Sequence, residues 1–365
     1  MSKKIMVVVG TRPNFIKVTQ FEKELAAYGS EFEFILVHTN QHYDENMSDI
    51  FFSQLKIKNP IYLTITNTTP AAQIGQIIIE LEKTIKEVQP DALIVVGDVN
   101  STLAGAIAGN KTNTRLFHLE SGLRSYDNEM PEEINRIITD LITDDFFITE
   151  QSGYDNLLAA GKDKSQLHFV GNTMIDTLVA FDELIQQNDI LEKLGITEKS
   201  FVLMTMHRPS NVDTKERLQI LLDIISKVAE KSYLVLPIHP RTKNSLIKHG
   251  LFDQLSSNSK VIITEALNYL AFQKLISSCK YVLTDSGGIQ EETTFRQIPC
   301  LTLRENTERP STITIGSNEL VEYNYDAVAE KINQIENGTF KKGQIPPFWD
   351  GKATKRIVEV LREVL

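Results

Sequence analysis

Short runs of apolar residues alternate along this chain with segments whose apolar residues recur at helical spacing. Ile5–Val9, Phe32–Val37, Ala92–Val96, Leu116–Leu119, Phe146–Thr149 and Leu167–Val170 are runs of the first kind. Strands covered by helices on both faces of a parallel sheet read in this way. Between them the pattern predicts a helix from the turn Gly10-Thr11-Arg12-Pro13-Asn14 through Tyr28, and others over Asn46–Leu55, Pro70–Val88 and Leu103–Gly109. A further helix begins at Pro131, where proline suits the first turn. After a helical connection, Met174–Leu194, the alternation starts again. Phe201–Met206, Tyr233–Pro237, Val261–Ile263, Tyr281–Thr284 and Cys300–Leu303 are its strands, and Lys215–Lys231 is its first helix. A helix over Ala353–Leu365 follows the breaker Pro346-Pro347-Phe348-Trp349-Asp350-Gly351. The predicted fold is α/β, with two doubly wound Rossmann-like domains facing across a cleft. Residues 1–170, with the helix 353–365 packing back on them, form the first; residues 171–350 form the second.

At 365 residues the chain exceeds what a single core usually supports, in keeping with two domains. Its 41% apolar and 24% charged residues are ordinary for a globular protein. A net charge of -10 argues against general affinity for nucleic acid or an anionic membrane, and leaves an anionic substrate to a locally positive cleft. Cys279 and Cys300 lack metal-type spacing and read as small core residues in a reducing compartment. No apolar run approaches the ~20 residues of a membrane span, and the N-terminus runs straight into a strand. A cytoplasmic location is the expectation.

In such sheets ligands gather at the carboxyl ends of the strands, where this chain places its unusual polar residues. The stretch Phe117–Arg136 sets Glu120 at a strand tip, Arg124 in the following loop and Glu132 or Glu133 at a helix start. Acidic and basic groups held by two rigid elements suit proton transfer, or a structural ion-pair network. Asp98 follows the strand Ala92–Val96, either as an acid/base group or as an N-cap, a role Ser101 or Thr102 can also fill. Arg12 and Lys17 follow the first strand and suit a departing diphosphate. Asp285-Ser286-Gly287-Gly288 joins a strand to a helix, and bare glycine amides there suit a diphosphate. Glu292, about one turn on, suits the two hydroxyls of a ribose. His207 ends the first strand of the second half, and Arg309 follows Cys300–Leu303. His239-Pro240-Arg241 reads as a structural strand end. Walker, EF-hand and H-E-x-x-H patterns are absent, which argues against metal and nucleoside-triphosphate chemistry.

Taken in order, G-T-R-P, G-D, H-L-E-S-G-L-R-S, M-P-E-E-I-N-R, V-G-N-T-M-I-D, M-H-R, D-S-G-G-I-Q-E-E and T-E-R-P resemble the bacterial non-hydrolysing UDP-N-acetylglucosamine 2-epimerases over nearly the whole chain. The resemblance implies the B-type glycosyltransferase fold, with the nucleotide mostly on the second domain. It implies reversible conversion of UDP-GlcNAc to UDP-ManNAc, by elimination of UDP to 2-acetamidoglucal and re-addition. It further implies Asp98, Glu120 and Glu132 as acid/base carboxyls, with His207 assisting at the departing phosphate. Arg12, Lys17, Ser286, Gly287, Gly288, Glu292 and Arg309 match positions that hold UDP, and Phe272 lies near the uracil. Neither NAD nor metal is implied as a cofactor; a homodimer and a role in surface polysaccharide synthesis are.

The chain departs from the family pattern in places. G-T-R-P-E reads G-T-R-P-N here, with Asn14, and H-R-x-E-N reads His207-Arg208-Pro209-Ser210-Asn211. Members activated by their own substrate carry Q-H-R and P-V-H-x-N-P. These positions read Gln41-His42-Tyr43 and Pro237-Ile238-His239-Pro240-Arg241, so the resemblance does not extend to such activation. Competing expectations are a 2-epimerase of another UDP-2-acetamido sugar (a diacetamido-uronic acid or 6-deoxy sugar), a hydrolysing epimerase, a glycosyltransferase of the same fold, or a UDP-sugar binding protein without turnover.

Overall fold

The computed structural model describes residues 2–40, 60–66 and 69–365. The helix expected at Asn46–Leu55 and the Gln41-His42-Tyr43 segment lie outside them. The chain divides into two compact units, one of Met1–Ala180 with Pro347–Leu365, the other of Phe181–Pro346.

Unit 1 is built on β1 (Lys3–Val9), β2 (Phe32–His38), β3 (Ile61–Tyr62), β4 (Ala92–Val96), β5 (Arg115–Leu119), β6 (Asp145–Ile148) and β7 (Leu167–Phe169). Its order is β3-β2-β1-β4-β5-β6-β7, with every pairing parallel. All five residues of β4 are buried, which explains why the strand reads as an unbroken apolar run. Strand order reverses between β1 and β4, so the crevice expected for a ligand opens where Gly10 and Gly97 follow those strands. The terminal helix Ala353–Val364 belongs to this unit: Asp176 accepts hydrogen bonds from the backbone N–H of Ala353 and Thr354 at 3.0 and 2.6 Å. The boundary expected at 170 falls inside unit 1, because the helix Thr173–Ala180 packs there.

Unit 2 holds β8 (Phe201–Thr205), β9 (Tyr233–Pro237), β10 (Val261–Thr264), β11 (Val282–Thr284), β12 (Cys300–Thr302) and β13 (Asn318–Leu320). Its order is β10-β9-β8-β11-β12-β13, again all parallel. The reversal here lies between β8 and β11, and it brings His207 beside Asp285. Cys279 and Cys300 are buried free thiols, which burial pushes up to about 12 and about 11.

Some elements differ from the expectation. The helix predicted through Tyr28 breaks into Arg12–Ile16 and Phe21–Ala26, and at the break the Thr177 hydroxyl donates to the Ile16 carbonyl. The connection Met174–Leu194 is three helices, Thr173–Ala180, Asp182–Gln186 and Ile190–Lys193. Asn188 Oδ1 accepts from Ile190 N at 3.1 Å, a local turn that competes with helix. β3 is only two residues long and β13 reads Asn-Glu-Leu, so neither shows in the apolar pattern.

Candidate active site

In unit 1 the loops after β1, β4 and β5 converge. Asn14 Oδ1 accepts from the amides of Gly10 and Thr11, both at 3.2 Å, while its Nδ2 donates to Val96 O at 3.2 Å. The amide at this departure from the family pattern thus ties the G-T-R-P turn to the end of β4. Gly97 follows with φ +68°, a conformation that favours glycine. A Cβ there would lie 3.4 Å from Lys17 Nζ and 3.7 Å from Glu120 Oε2. Lys17, 7% exposed, is ion-paired with Glu120, 5% exposed. Glu120 itself sits at φ +70°, a strained setting for a non-glycine residue of the kind that concentrates at functional sites. Its amide and that of Ser121 both donate to Phe147 O, at 3.0 and 3.3 Å, which holds the turned backbone in place.

Asp98, next along from Gly97, does not cap the helix that follows. That helix, Asn100–Lys111, starts from Val99; Thr102 Oγ1 donates to Val96 O and the Ser101 hydroxyl bonds Thr39. The Asp98 carboxylate instead accepts from Arg136 Nη2 at 2.5 Å, and its carbonyl from Asn135 Nδ2 at 2.9 Å. Arg136 is buried and also donates to Glu133 Oε2 at 2.7 Å. Glu133, 1% exposed, accepts from Ser125 N, Ser125 Oγ and Tyr126 N as well. It therefore shapes the loop, whereas Glu132, beside it on the first turn of Pro131–Ile142, points to solvent.

The loop is fastened a second time by Asp140, a residue the motif reading passed over. His118 Nδ1 lies 2.7 Å from Asp140 Oδ1, and His118 Nε2 lies 2.7 Å from Gly97 O. Arg124 Nη2 lies 2.6 Å from Asp140 Oδ2. Burial alone would raise the Asp140 carboxyl, but the hydrogen bond and charge of His118, with Arg124, hold it below the usual carboxylate range. Arg124 is thus drawn to Asp140, and the cations at Glu120 and Asp98 are Lys17 and Arg136. The i, i+3 spacing of Glu133 and Arg136 on one helix is the sequence signal for their ion pair, whereas Asp140 meets His118 and Arg124 only through the fold.

In unit 2 the chemistry collects after β8, β11 and β12. The helix Gly287–Phe295 starts from Ser286 with no side-chain hydrogen bond to its first amides. A Cβ on Gly287 would lie 2.8 Å from Glu308 Oε1 and 3.0 Å from Arg309 Nη1, so Arg309 stands directly over this turn. Arg309 Nη1 donates to Glu308 Oε1, and its Nε lies 2.8 Å from Glu291 Oε2. Arg304 Nη2 donates to Glu308 Oε2 at 3.1 Å. Glu292 is buried in the same helix, while Phe272 is half-buried on Tyr269–Ser278 and packs against that side of the core. His207 Nδ1 lies 2.8 Å from Asp285 Oδ1, and its ring centroid is 5.4 Å from that of His239. His239 caps its own helix, Pro240–Lys248, by accepting from Arg241 N at 3.1 Å.

Asp98, Glu120 and Lys17 therefore group at the strand ends of unit 1, with Arg12 opening the helix after β1 and Glu132 at a helix start; His207, Ser286, Gly287, Gly288 and Arg309 group in unit 2. The family model for UDP-N-acetylglucosamine 2-epimerase matches residues 23–362. The chain belongs to this family. It is 38% identical over 364 residues to the UDP-N-acetylglucosamine 2-epimerase of Methanocaldococcus jannaschii, covering 98% of each chain. It is 35% identical over 367 residues to the UDP-2,3-diacetamido-2,3-dideoxy-D-glucuronate 2-epimerase of Pseudomonas aeruginosa, covering 99% of this chain and 100% of that one. The crystal structure of the M. jannaschii epimerase in complex with UDP-GlcNAc and UDP superposes with a TM-score of 0.88 at 38% identity, covering 99% of each chain. A wall teichoic acid polymerase, 12% identical with a TM-score of 0.59, shares the fold alone.

Membership of the 2-epimerase family bears out the resemblance carried by the motifs and the two-domain parallel α/β fold. Asp140 lies outside the quoted motifs, and Arg136 and Asp285 lie within them without an assigned role; all three make their contacts behind the candidate site residues. Only the fold brings them there, apart from the helical spacing noted above. Among the described residues no helix is long and apolar enough to cross a membrane.

Proposed function

We propose that this chain interconverts UDP-GlcNAc and UDP-ManNAc, taking the proton from C2 as UDP leaves C1. The bonding pair of C2–H becomes the double bond of 2-acetamidoglucal, and the C1–O pair departs with UDP. Re-addition of UDP, with a proton delivered to the opposite face of C2, completes the inversion. A C2 proton without an adjacent carbonyl is not acidic, so the reaction needs carboxyls held ready for it and a cationic cradle for the diphosphate.

The observation that carries this reading is the pair Asp98 and Glu120, each held by a buried cation at the carboxyl edge of one sheet. A glycosyltransferase leaves C2–H untouched and needs one base at most, for its acceptor hydroxyl. Glu132, exposed at the nearby helix start, is the third proton-transferring group. In unit 2, the amides of Ser286, Gly287 and Gly288 with Arg309 hold the diphosphate, Glu292 the ribose and Phe272 the uracil, while His207 meets the departing phosphate. Arg12 is a further cation at the strand ends of unit 1, opening the helix after β1. Lys17 is the cation paired with Glu120 behind that carboxylate.

A second copy of the chain is the expected partner. The row Ile134, Ile137, Ile138 and Leu141 along Pro131–Ile142 supports this, since Leu141 alone is 73% exposed. A cytoplasmic role in supplying ManNAc units for surface polysaccharide fits the reaction. The 35% identity to the diacetamido-glucuronate epimerase favours that sugar as the second reading. Incubation with UDP-GlcNAc in D2O, followed by NMR, tests the proposal. Deuterium at C2 in a mixture of two UDP-sugars is expected. Free ManNAc with UDP would mean a hydrolysing enzyme, and absence of exchange would remove epimerisation of this sugar and move the test to the diacetamido-uronic acid.

A further inference from the structure

The residue behind His207 has no role so far, although the fold commits much to it. Asp285 follows β11, is completely buried, and gathers the whole loop after β8 onto its carboxylate. Oδ2 accepts from Arg208 N at 2.8 Å, His207 N at 3.0 Å and Asn211 Nδ2 at 3.2 Å. Oδ1 faces the His207 ring, with Nδ1 at 2.8 Å, and lies 3.2 Å from His207 N. Burial would raise this carboxyl, but the hydrogen bond and charge of His207 and the amides of Arg208 and His207 hold it below its ordinary value. An ionised carboxylate only accepts, so the ring nitrogen facing it must carry the proton. The side chain of His207 remains 40% exposed, which leaves the other nitrogen to solvent or ligand.

We propose that Asp285 is the positioning residue of His207: it fixes the ring by Nδ1–H and turns Nε2 outward as the nitrogen that meets the reacting group. The neutral ring then presents a lone pair at Nε2, and after taking a proton it presents an N–H donor to the same place. This rests on the assignment of unit 2's strand ends to UDP. The arrangement is the one by which a buried carboxylate sets the tautomer of a working histidine in hydrolytic triads. Asn211 supports it from the side, since its Nδ2 also donates to Leu303 O at 3.2 Å and so ties the loop to β12.

Asp285→Asn separates this role from simple loop-holding. Three donors face Oδ2, so the amide oxygen settles there and the amide NH2 replaces Oδ1 against His207 Nδ1. The ring is then forced into the Nε2–H tautomer with the loop still fastened. Ring 15N spectra of the unsubstituted protein with labelled histidine should show His207 protonated at Nδ1, and Asp285→Asn should move that proton to Nε2. Epimerisation kcat should fall by on the order of a hundredfold or more, with KM and UDP affinity within about threefold. In a His207→Gln background the same substitution should change kcat less than threefold. An Nε2–H tautomer in the unsubstituted protein would overturn the proposal whether or not the variant folds. So would a tautomer shift with kcat unchanged. UDP titration of the unsubstituted protein is the separate control: lack of binding removes the UDP assignment itself, whereas binding with an indifferent Asp285→Asn removes this proposal alone.

Discussion

Unit 1 and unit 2 solve opposite electrostatic problems with mirrored parts. In unit 1 the carboxylates Asp98 and Glu120 stand at the strand ends, and buried cations hold them from behind: Arg136 for one, Lys17 for the other. In unit 2 the groups presented are cationic or N–H-rich, and buried carboxylates hold them: Asp285 behind His207, Glu308 and Glu291 behind Arg309. A buried charge without a partner is expensive, so each working group is matched by a partner of the other sign. Under the proposed reaction, proton transfer from carbon falls to unit 1 and diphosphate binding to unit 2. Substitutions in one unit should therefore spare the other's task.

The largest effect should come from Glu120→Gln. Removal of an acid/base group costs ~10²–10⁴-fold, and C2 deuterium exchange should drop by on the order of a thousandfold. UDP affinity, measured by calorimetry, should stay within about threefold. Loss of UDP binding of the same size as the loss of exchange would break the division of labour between the units. Gly287→Ala should do the reverse on a smaller scale. Its Cβ would press on Glu308 Oε1 at 2.8 Å and on Arg309 Nη1 at 3.0 Å, while filling the approach to the amides. Only the side-chain tips of Glu308 and Arg309 need give way, so the fold should hold, while the methyl in the approach to the amides should raise the UDP Kd about tenfold, ~1.4 kcal/mol. Turnover at saturating substrate should change much less. A Gly287→Ala variant with unaltered UDP affinity would detach this turn from the diphosphate.

The two units also differ in how far they could be read from the chain. The parallel strands announced themselves as apolar runs because helices cover both faces. Their ends then located Asp98, Glu120, His207 and Ser286, since ligand-binding loops follow strands in such sheets. What stayed hidden is the set of holders. Asp140 lies on the buried side of a helix, in a segment that reads as an ordinary amphipathic pattern. Its contacts to His118 and Arg124 span 22 and 16 residues and depend on β5 lying beside that helix. Asp285 adjoins a glycine pair that draws the eye to its amides, and its service to His207 spans 78 residues. Lys17 read as a cation aimed outward, yet the break after Ile16 turns its side chain to Glu120. Local spacing reports elements and their ends; pairing between ends of different strands comes only with topology.

The smallest effect, and the one that isolates a holder from the group it holds, concerns Asp140. His118 and Arg124 keep its carboxyl below the ordinary value despite burial, so the folded state releases this proton more readily than the unfolded chain. A carboxyl depressed in the folded state contributes stability that is fully present above the unfolded value, near 4, and is lost as pH falls through the folded one. Asp140→Asn should therefore lower unfolding stability by about 2 kcal/mol at pH 7, the range for hydrogen bonds to a charged group. The deficit should shrink as pH falls below about 4, because the unsubstituted protein then loses the same contribution. Urea titrations of both forms at pH 7 and at the lowest pH where the protein stays folded measure the two gaps. A deficit that stays constant across that window would mean that Asp140 acts through shape rather than charge. The loop bearing Glu120 would then be held by Glu133 and the Phe147 carbonyl without help from the His118 pair.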